Sequence, residues 1–426
     1  MRILSNNCSA VNSISKEWGV VRLKQIISLC ENGIWGDAPG DDKEVYPVIR
    51  STEIMHNGKL DLKNVALRQI PAEKVEKYRL RNGDILIVSS SGSPHLIGRA
   101  AIYTLEKEGI HLFSNFIIRI RPQNVEPFYL FYYLHSSRYK QFLKSLQQTS
   151  TGLRNLRKGD LLNIRLPLPP LPEQKKIAEI LRTVDKAIEK VDEAIERTER
   201  LKKGLMQELL TKGIGHREFK DAEIGRIPKE WEVVKLGDIR FFKLIMGQSP
   251  PSSTYNKSGI GIPFLQGCAE FGKIYPSPNL YCSKPLKIVR LGDILISVRA
   301  PVGEINIADT NLCIGRGLAA LRPKEKSVNT FYIYYALHKA KGKLKNRSSG
   351  STFKAIAKRD LENFRIPLPP LPEQKQIAEI LMTVDKKLEL LREKKKILEQ
   401  LKKGLMNDLL TGKRRVKVEP PKETLF

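Results

Sequence analysis

The feature that most limits what this chain can fold into is a stretch that it contains twice. Leu168-Pro-Pro-Leu-Pro-Glu-Gln-Lys-Lys-Ile-Ala-Glu-Ile-Leu181 returns 200 positions later as Leu368-Pro-Pro-Leu-Pro-Glu-Gln-Lys-Gln-Ile-Ala-Glu-Ile-Leu381. Both copies run through a charged segment to Leu-Lys-Lys-Gly-Leu-Met and reach Leu210-Thr211 and Leu410-Thr411. A repeat this long is a structural unit. Pro172 and Pro372 suit a first helical position, and Glu173 and Glu373 suit the positive end of a helix dipole.

Apolar residues follow at Ile177, Leu181, Val184, Ile188, Val191, Ile195, Leu205 and Leu209. Steps of four and three are the seam of a coiled coil. The second copy keeps the seam at Ile377, Leu381, Val384, Leu388, Leu391, Leu398, Leu405 and Leu409, departing at Lys395 where the first copy has Ile195. Gly213 and Gly412 stand where helix stops belong. About 40 residues at ~1.5 Å each predict a rod of ~60 Å whose narrow seam wants one partner helix, most simply the other copy. The alternative is two unrelated amphipathic helices, each packed on its own domain.

The rest of the chain repeats as well. Glu17-Trp18-Gly-Val-Val-Arg-Leu23 returns as Glu230-Trp231-Glu-Val-Val-Lys-Leu236, and Tyr46-Pro-Val-Ile-Arg50 parallels Ile262-Pro-Phe-Leu-Gln266. Arg81-Asn-Gly-Asp-Ile-Leu-Ile87 matches Arg290-Leu-Gly-Asp-Ile-Leu-Ile296, and Phe128-Tyr-Leu-Phe-Tyr-Tyr-Leu-His135 matches Phe331-Tyr-Ile-Tyr-Tyr-Ala-Leu-His338. Apolar runs behind Gly-Asp read as strands, and the aromatic runs have helical spacing suited to a core. The expected class is α+β: two similar globular domains separated by two long helices that pair as an antiparallel coiled coil, an internal pseudo-twofold repeat. The expected segments are an arm (1–16), a first domain (17–167), a central helix (168–212) and a connector (213–229). A second domain (230–367), a C-terminal helix (368–412) and a basic, disordered tail (413–426) follow.

Charge points to a partner. The formal net charge is +28, yet residues 173–212 and 373–412 together hold only +3 of it. The surplus on the globular parts suits a polyanion, most simply nucleic acid, with a Lys-rich thermophile-like surface as the alternative. No run of 18 apolar residues appears, and the start lacks the apolar core of a signal peptide, so no membrane partner and a cytoplasmic location are expected. Five cysteines without a CxxC pair fit reduced thiols and no metal site.

Candidate contacts follow from base-edge chemistry, in which Arg suits guanine, Asn and Gln suit adenine, and Ser or Thr serve either. In the first domain these are Arg50, Ser90, Ser91, Ser93, His95 and Arg99, with Thr151, Arg154, Asn155 and Lys158 as a second group. In the second they are Gln248, Gln266, Arg299 and Arg316, with Arg347, Ser348, Ser349 and Lys354. The loop after the shared Gly-Asp strand differs between the copies, as in two related readers of different ligands. Catalytic residues are not expected: there is no GxxxxGK[ST] loop, no HExxH, no glycine-rich methyl-donor loop and no Asn-Pro-Pro-Tyr type of motif. Ser249-Pro-Pro-Ser252 reads as a turn.

The doubled Leu-Pro-Pro-Leu-Pro-Glu-Gln helix opening, with the doubled Glu-Trp and Gly-Asp-Ile-Leu-Ile domains, resembles the specificity subunit of a type I restriction-modification enzyme over nearly the whole chain. The resemblance implies two target-recognition domains, each reading half of a split site in double-stranded DNA, with the paired helices as a spacer. It implies docking of methyltransferase (modification) subunits and restriction (nuclease-translocase) subunits. S-adenosylmethionine, ATP and Mg2+ would belong to those partners, and this chain would have no cofactor of its own. Base-contacting residues vary within that family, so none carries over by motif. Two other classes stay open: a coiled-coil scaffold or adaptor without DNA specificity, and a stand-alone DNA methyltransferase or nuclease.

Overall fold

In the computed structural model the described residues are 18–40, 44–104, 109–147, 155–324, 326–346 and 355–418. They form two compact units, Met1–Val191 with Lys394–Phe426, and Asp192–Glu393. Each unit therefore holds one globular domain, the start of one long helix and the end of the other.

In the first unit a four-stranded antiparallel sheet runs Ile27–Asn32, Ile117–Pro122, Ile85–Val88, Ala100–Ile102. A smaller sheet places Val45–Ile49 between Ala66–Gln69 and Leu112–Phe113. The strand Ile85–Val88 shows why its sequence is apolar without a break. Ile85 and Ile87 enter the core shared with the aromatic helices, while Leu86 and Val88 enter a second core behind the sheet. A strand buried on both faces needs apolar residues at every position. The second unit places Ile294 and Ile296 in one core and Leu295 in the other, and its strand ends on buried Ser297, whose hydroxyl donates to Pro301 O at 2.7 Å. Its sheets run Phe242–Met246, Leu318–Pro323, Ile294–Ser297, Ile305–Ile307, and Tyr255–Asn256, Leu280–Cys282, Ile262–Leu265, Leu312–Ile314, Ile288–Val289.

The aspartate before each central strand is structural. Asp84 is buried and accepts the backbone N–H of Arg81 at 2.8 Å, while Arg121 donates to both its oxygens at 2.7 and 2.8 Å. Asp293 repeats the arrangement with Arg290 N–H and Arg322. A forked guanidinium satisfies both lone-pair sets of a carboxylate that burial would otherwise penalise.

The long helices are Leu171–Leu209 and Leu371–Leu409, so Pro172 and Pro372 occupy the second helical position. Before them, Arg165–Leu168 pairs with Gly19–Arg22, and Arg365–Leu368 pairs with Glu232–Lys235. The repeated Glu-Gln fastens these parts together. Glu173 accepts Trp18 Nε1–H at 3.2 Å and is held by Arg415 at 2.8 and 2.9 Å. Glu373 accepts Trp231 Nε1–H at 2.9 Å, the Ile214 N–H at 2.9 Å, and lies 2.9 Å from His216 Nε2. Gln174 accepts the Glu126 N–H and donates to Pro169 O, and Gln374 does the same with Asn329 and Pro369.

The seam residues are buried in each unit against the end of the other helix. Ile177 and Leu181 share a core with Met406, Leu409 and Leu410, and Ile377 and Leu381 share one with Leu209 and Leu210. Val191, Val384 and Leu388 are also buried, and Val184, Ile188, Ile195, Leu205, Leu391, Leu398 and Leu405 partly so. In the second unit Lys202 pairs with Asp385 at 2.6 Å and Glu199 with Arg392 at 2.6 Å. One helix number rises as the other falls, so the strands of this seam are antiparallel. The first unit agrees, with Asp185 on Lys402 at 2.6 Å and Glu173 on Arg415. Tyr132 and Tyr335 each donate at 2.7 Å to these same aspartates, Asp185 and Asp385, tying the domain to both helices.

Three expectations change in detail. The tail is packed as far as its described residues go, because Arg415 and the Val416 N–H both reach Glu173. The connector contains a hairpin, Phe219–Ala222 with Gly225–Pro228. The first aromatic run is two helices, Pro127–Tyr133 and Ser137–Gln147, where the second copy is one, Thr330–Asn346. Ser136 explains the break: its hydroxyl accepts the Tyr139 N–H at 3.3 Å as a helix cap would. The segment 1–16 lies outside the described residues.

His135 and His338 end the aromatic runs, and burial holds each imidazole at about 4, below its ordinary 6.5. The folded chain keeps them neutral where the unfolded chain protonates them. Their contribution is complete above pH 6.5 and is lost as the pH falls towards 4, at up to ~3 kcal/mol per histidine. Thermal unfolding of a His135→Gln/His338→Gln variant should show a flatter fall in Tm between pH 6.5 and 4. An unchanged profile would refute this origin of acid sensitivity.

Candidate nucleic-acid interface

Behind the central strand of each domain the chain builds the same hydrogen-bonded frame. In the first, Ser89 N–H donates to Phe116 O at 2.9 Å, Leu156 N–H to Ser89 O at 2.7 Å, and Ser114 N–H to Ile49 O at 2.9 Å. In the second, Val298 N–H donates to Gly317 O at 2.9 Å, Ile356 N–H to Val298 O at 2.9 Å, and Gly315 N–H to Leu265 O at 2.8 Å. The bridges Ser90–Asn155 and Arg299–Ala355 complete the match. These bonds make Ser90 equivalent to Arg299, Asn115 to Arg316, Phe116 to Gly317, and Arg50 to Gln266.

The first frame opens into a hollow of about 310 Å³ lined by Asn32, Ser89, Ser90, Asn115, Asn155, Leu156, Arg157 and Lys158. Asn32 Nδ2 donates to Asn115 O at 3.2 Å and to Ser89 Oγ at 3.4 Å, which fixes its amide at the wall. Asn115, Asn155, Arg157 and Lys158 are exposed. Amide donors and acceptors flanked by two cations can pair with base edges and with phosphate oxygens.

The other first-domain candidates are placed differently. Arg50 is committed to Glu53, with Nη2 at 2.7 Å from Oε1, and also donates to Asn64 O. Arg99 donates to Ile54 O at 3.1 Å. Ser91 accepts the Ser93 N–H at 3.1 Å within the loop that follows the central strand. Ser93 and His95 are exposed on that loop. Thr151 and Arg154, like Arg347, Ser348, Ser349 and Lys354 of the second domain, lie outside the described residues.

In the second domain Gln266, Arg316 and Ser249 form one cluster. Ser249 Oγ accepts from Gln266 Nε2 at 2.8 Å and from the Arg316 N–H at 3.1 Å. Glycines allow the close approach: a Cβ on Gly317 would lie 2.6 Å from Gln266 O, and one on Gly315 would lie 2.8 Å from its Oε1. Gln248 is exposed beside Ser249, with its backbone N–H on Ile314 O at 3.0 Å. Arg299 sits one residue beyond the Val298–Gly317 bond, and Arg316 one residue before it.

Sequence reasoning passed over Asn32, Asn115 and Ser249 as contacts. Asn115 was findable, because Ser114-Asn-Phe-Ile-Ile-Arg-Ile120 aligns with Gly315-Arg-Gly-Leu-Ala-Ala-Leu321 once Arg121 and Arg322 are matched. Asn32 and Ser249 carry no signal, since long-range pairing alone brings them to the frame. Among the described residues no group of His, Cys, Asp and Glu is placed to hold a metal ion, and no helix is long and apolar enough to cross a membrane.

The family described as "Type I restriction modification DNA specificity domain" matches residues 15–197 and 228–400. The chain is 45% identical over 410 residues to a putative type I restriction enzyme MjaX specificity subunit of Methanocaldococcus jannaschii, covering 96% of each. It is 31% identical over 422 residues to the MjaVIII specificity subunit of the same organism, covering 95% of this chain and 94% of that one. A chain from a solved structure on complex assembly and conformational transition of the type I R-M system superposes with a TM-score of 0.59, at 31% identity, over 94% of this chain and 99% of that one.

If the exposed cations at the rim of the first hollow meet phosphates, each adds to the salt dependence of DNA binding. The Arg157→Ala/Lys158→Ala variant should lower the slope of log K against log salt by ~2 while keeping the preferred sequence. A changed preference with an unchanged slope would place these side chains on bases instead.

Proposed function

Because the chain belongs to the type I restriction-modification DNA specificity family, we propose that it recognises a bipartite DNA sequence, one half-site per globular domain, and positions methyltransferase and restriction subunits on it. As a specificity subunit it is the non-catalytic component of its system. The chemistry, with S-adenosylmethionine, ATP and Mg2+, falls to those partner subunits in the cytoplasm. In this reading segments 17–167 and 230–367 are the recognition domains, and 168–212 and 368–412 are spacers and docking elements.

The observation that carries the reading is the duplicated frame with different side chains at equivalent positions. Ser90 and Asn115 in one domain stand where Arg299 and Arg316 stand in the other, while the supporting backbone bonds are the same. A protein that bound one ligand twice would keep the side chains. One that read two different half-sites would keep the scaffold and vary the tips, since base edges differ in donors and acceptors but duplex shape does not. An adaptor without DNA specificity has no use for such a division.

Coexpression with the methyltransferase subunit, followed by mapping of methylated bases, tests the reading directly. The expected outcome is one motif of two halves with a fixed gap, and replacing residues 17–165 by another such domain should alter one half alone. Methylation that is unchanged when this chain is omitted would return the adaptor to favour. The helices also set a length. Removing one heptad from both of them should shorten the gap and leave both halves readable, and recovery of the original gap would sink the spacer role.

A further inference from the structure

The two frames differ in charge where they are equivalent in position, and we propose that this difference is the base code itself. The second domain reads guanine through Arg299 and Arg316. The first reads an A·T pair through the amide of Asn115, with Phe116 against the thymine methyl group. The inference rests on the DNA-specificity reading and names the bases that each domain takes.

Several guanidiniums in these domains are spoken for. Arg50, Arg121 and Arg322 hold carboxylates, Arg99 holds a carbonyl, and buried Arg119 holds Glu31 with Arg79 O and Lys77 O. Arg299 and Arg316 are exposed, and among the described residues neither side chain has a hydrogen-bond or ion-pair partner. The fold nevertheless fixes the backbone of both. The Val298 N–H to Gly317 O bond ties their strands together, the Arg316 N–H is held by Ser249 Oγ, and the glycines on either side of Arg316 press that loop onto Gln266. A planar fork on a fixed base suits the paired acceptors O6 and N7 of guanine, and the neighbouring amides of Gln248 and Gln266 are base-edge groups as well.

The first domain presents the opposite chemistry. Its frame positions carry Ser90 and Asn115, both neutral, and its cations, Arg157 and Lys158, stand off the frame at the rim. Phe116 is 54% exposed, although its own carbonyl is buried in bonds to the Ser89 and Ser90 amides. A large apolar ring set out among amides and hydroxyls, at the place the other domain gives to Gly317, matches the thymine methyl. That methyl is the apolar group a base edge shows in the major groove.

The experiment uses the complex with its methyltransferase subunits and duplexes of the mapped motif in which single guanines are replaced by 7-deazaguanine, or single thymines by uracil. Wild type should lose about tenfold or more in affinity at one or two deaza positions in the half assigned to the second domain. Arg316→Gln or Arg299→Gln should lose affinity for the natural duplex and show no further loss at that position. In the other half, one uracil should cost about fourfold, a difference that Phe116→Ala erases. Equal Tm values for these exposed-site variants show that folding is intact.

The inference is overturned if the second half contains no guanine, or if deaza substitution has no effect while Arg316→Gln weakens all sequences equally with a smaller salt slope. The latter would make both arginines phosphate contacts. Absence of any bipartite motif is a separate result, and it would remove the underlying specificity reading rather than this assignment.

Discussion

A carboxylate at the first turn of each long helix, buried for Glu173 and partly buried for Glu373, holds the parts of this chain together. Glu173 receives the indole N–H of Trp18 from the domain that precedes it and the guanidinium of Arg415 from the segment that follows the other helix. Glu373 receives Trp231, and His216 and Ile214 from the segment after the first helix. A carboxylate taken from water costs several kcal/mol unless its lone pairs are met, so each glutamate demands that its partners arrive together. In the first unit the anchor joins three stretches that are far apart in sequence, and in the second it joins the helix start to Ile214, His216 and Trp231, which lie close together ahead of the second domain.

With the helices and domain bases fastened, the exposed tips of the frame are free to carry different side chains. The central strands feed two cores each, and Asp84 with Arg121, or Asp293 with Arg322, locks the turn before them. Such positions cannot change without opening a cavity or stranding a charge. Ser90, Asn115, Arg299 and Arg316 have no such duty, because only their backbone atoms enter the frame. Division between a constrained scaffold and free tips is what allows one architecture to present different chemistry twice.

The helices and their seam were legible because period and repetition act locally, and the Gly-Asp strand because a run of apolar residues bounded by a turn has few other readings. The Glu-Gln motif was visible as a helix start but its use was not: a dipole argument explains an acid there, whereas the structure gives that acid an indole from 155 residues away. Arg50 looked like a free cation by composition, yet Glu53, three residues on, captures it through a turn. The tail read as disordered because its composition is basic, and composition cannot reveal that Arg415 has a buried acid waiting for it. The hydroxyl of Ser249 was hidden for the same reason, since its partners Gln266 and Arg316 come together only through sheet pairing.

The duplication has a quantitative logic. One frame offers only a few exposed side chains, and a good bidentate contact discriminates against a wrong base by ~1–3 kcal/mol. Three or four such contacts supply ~3–12 kcal/mol, which is marginal against the ~10⁶–10⁹ competing sites of a genome. Enlarging one surface would need more free tips on a sheet whose interior positions are already committed to two cores. Repeating the whole unit adds a second set of contacts without touching that packing. Each unit closes its own stretch of the helix seam in the same way, with buried leucines and an ion pair, Lys402–Asp185 in the first and Lys202–Asp385 in the second. In the proposed reading, two identical frames would select a symmetric target. Two frames with different side chains, an amide in one and a guanidinium in the other, would in the same reading make the two half-sites distinguishable and give the DNA site a direction.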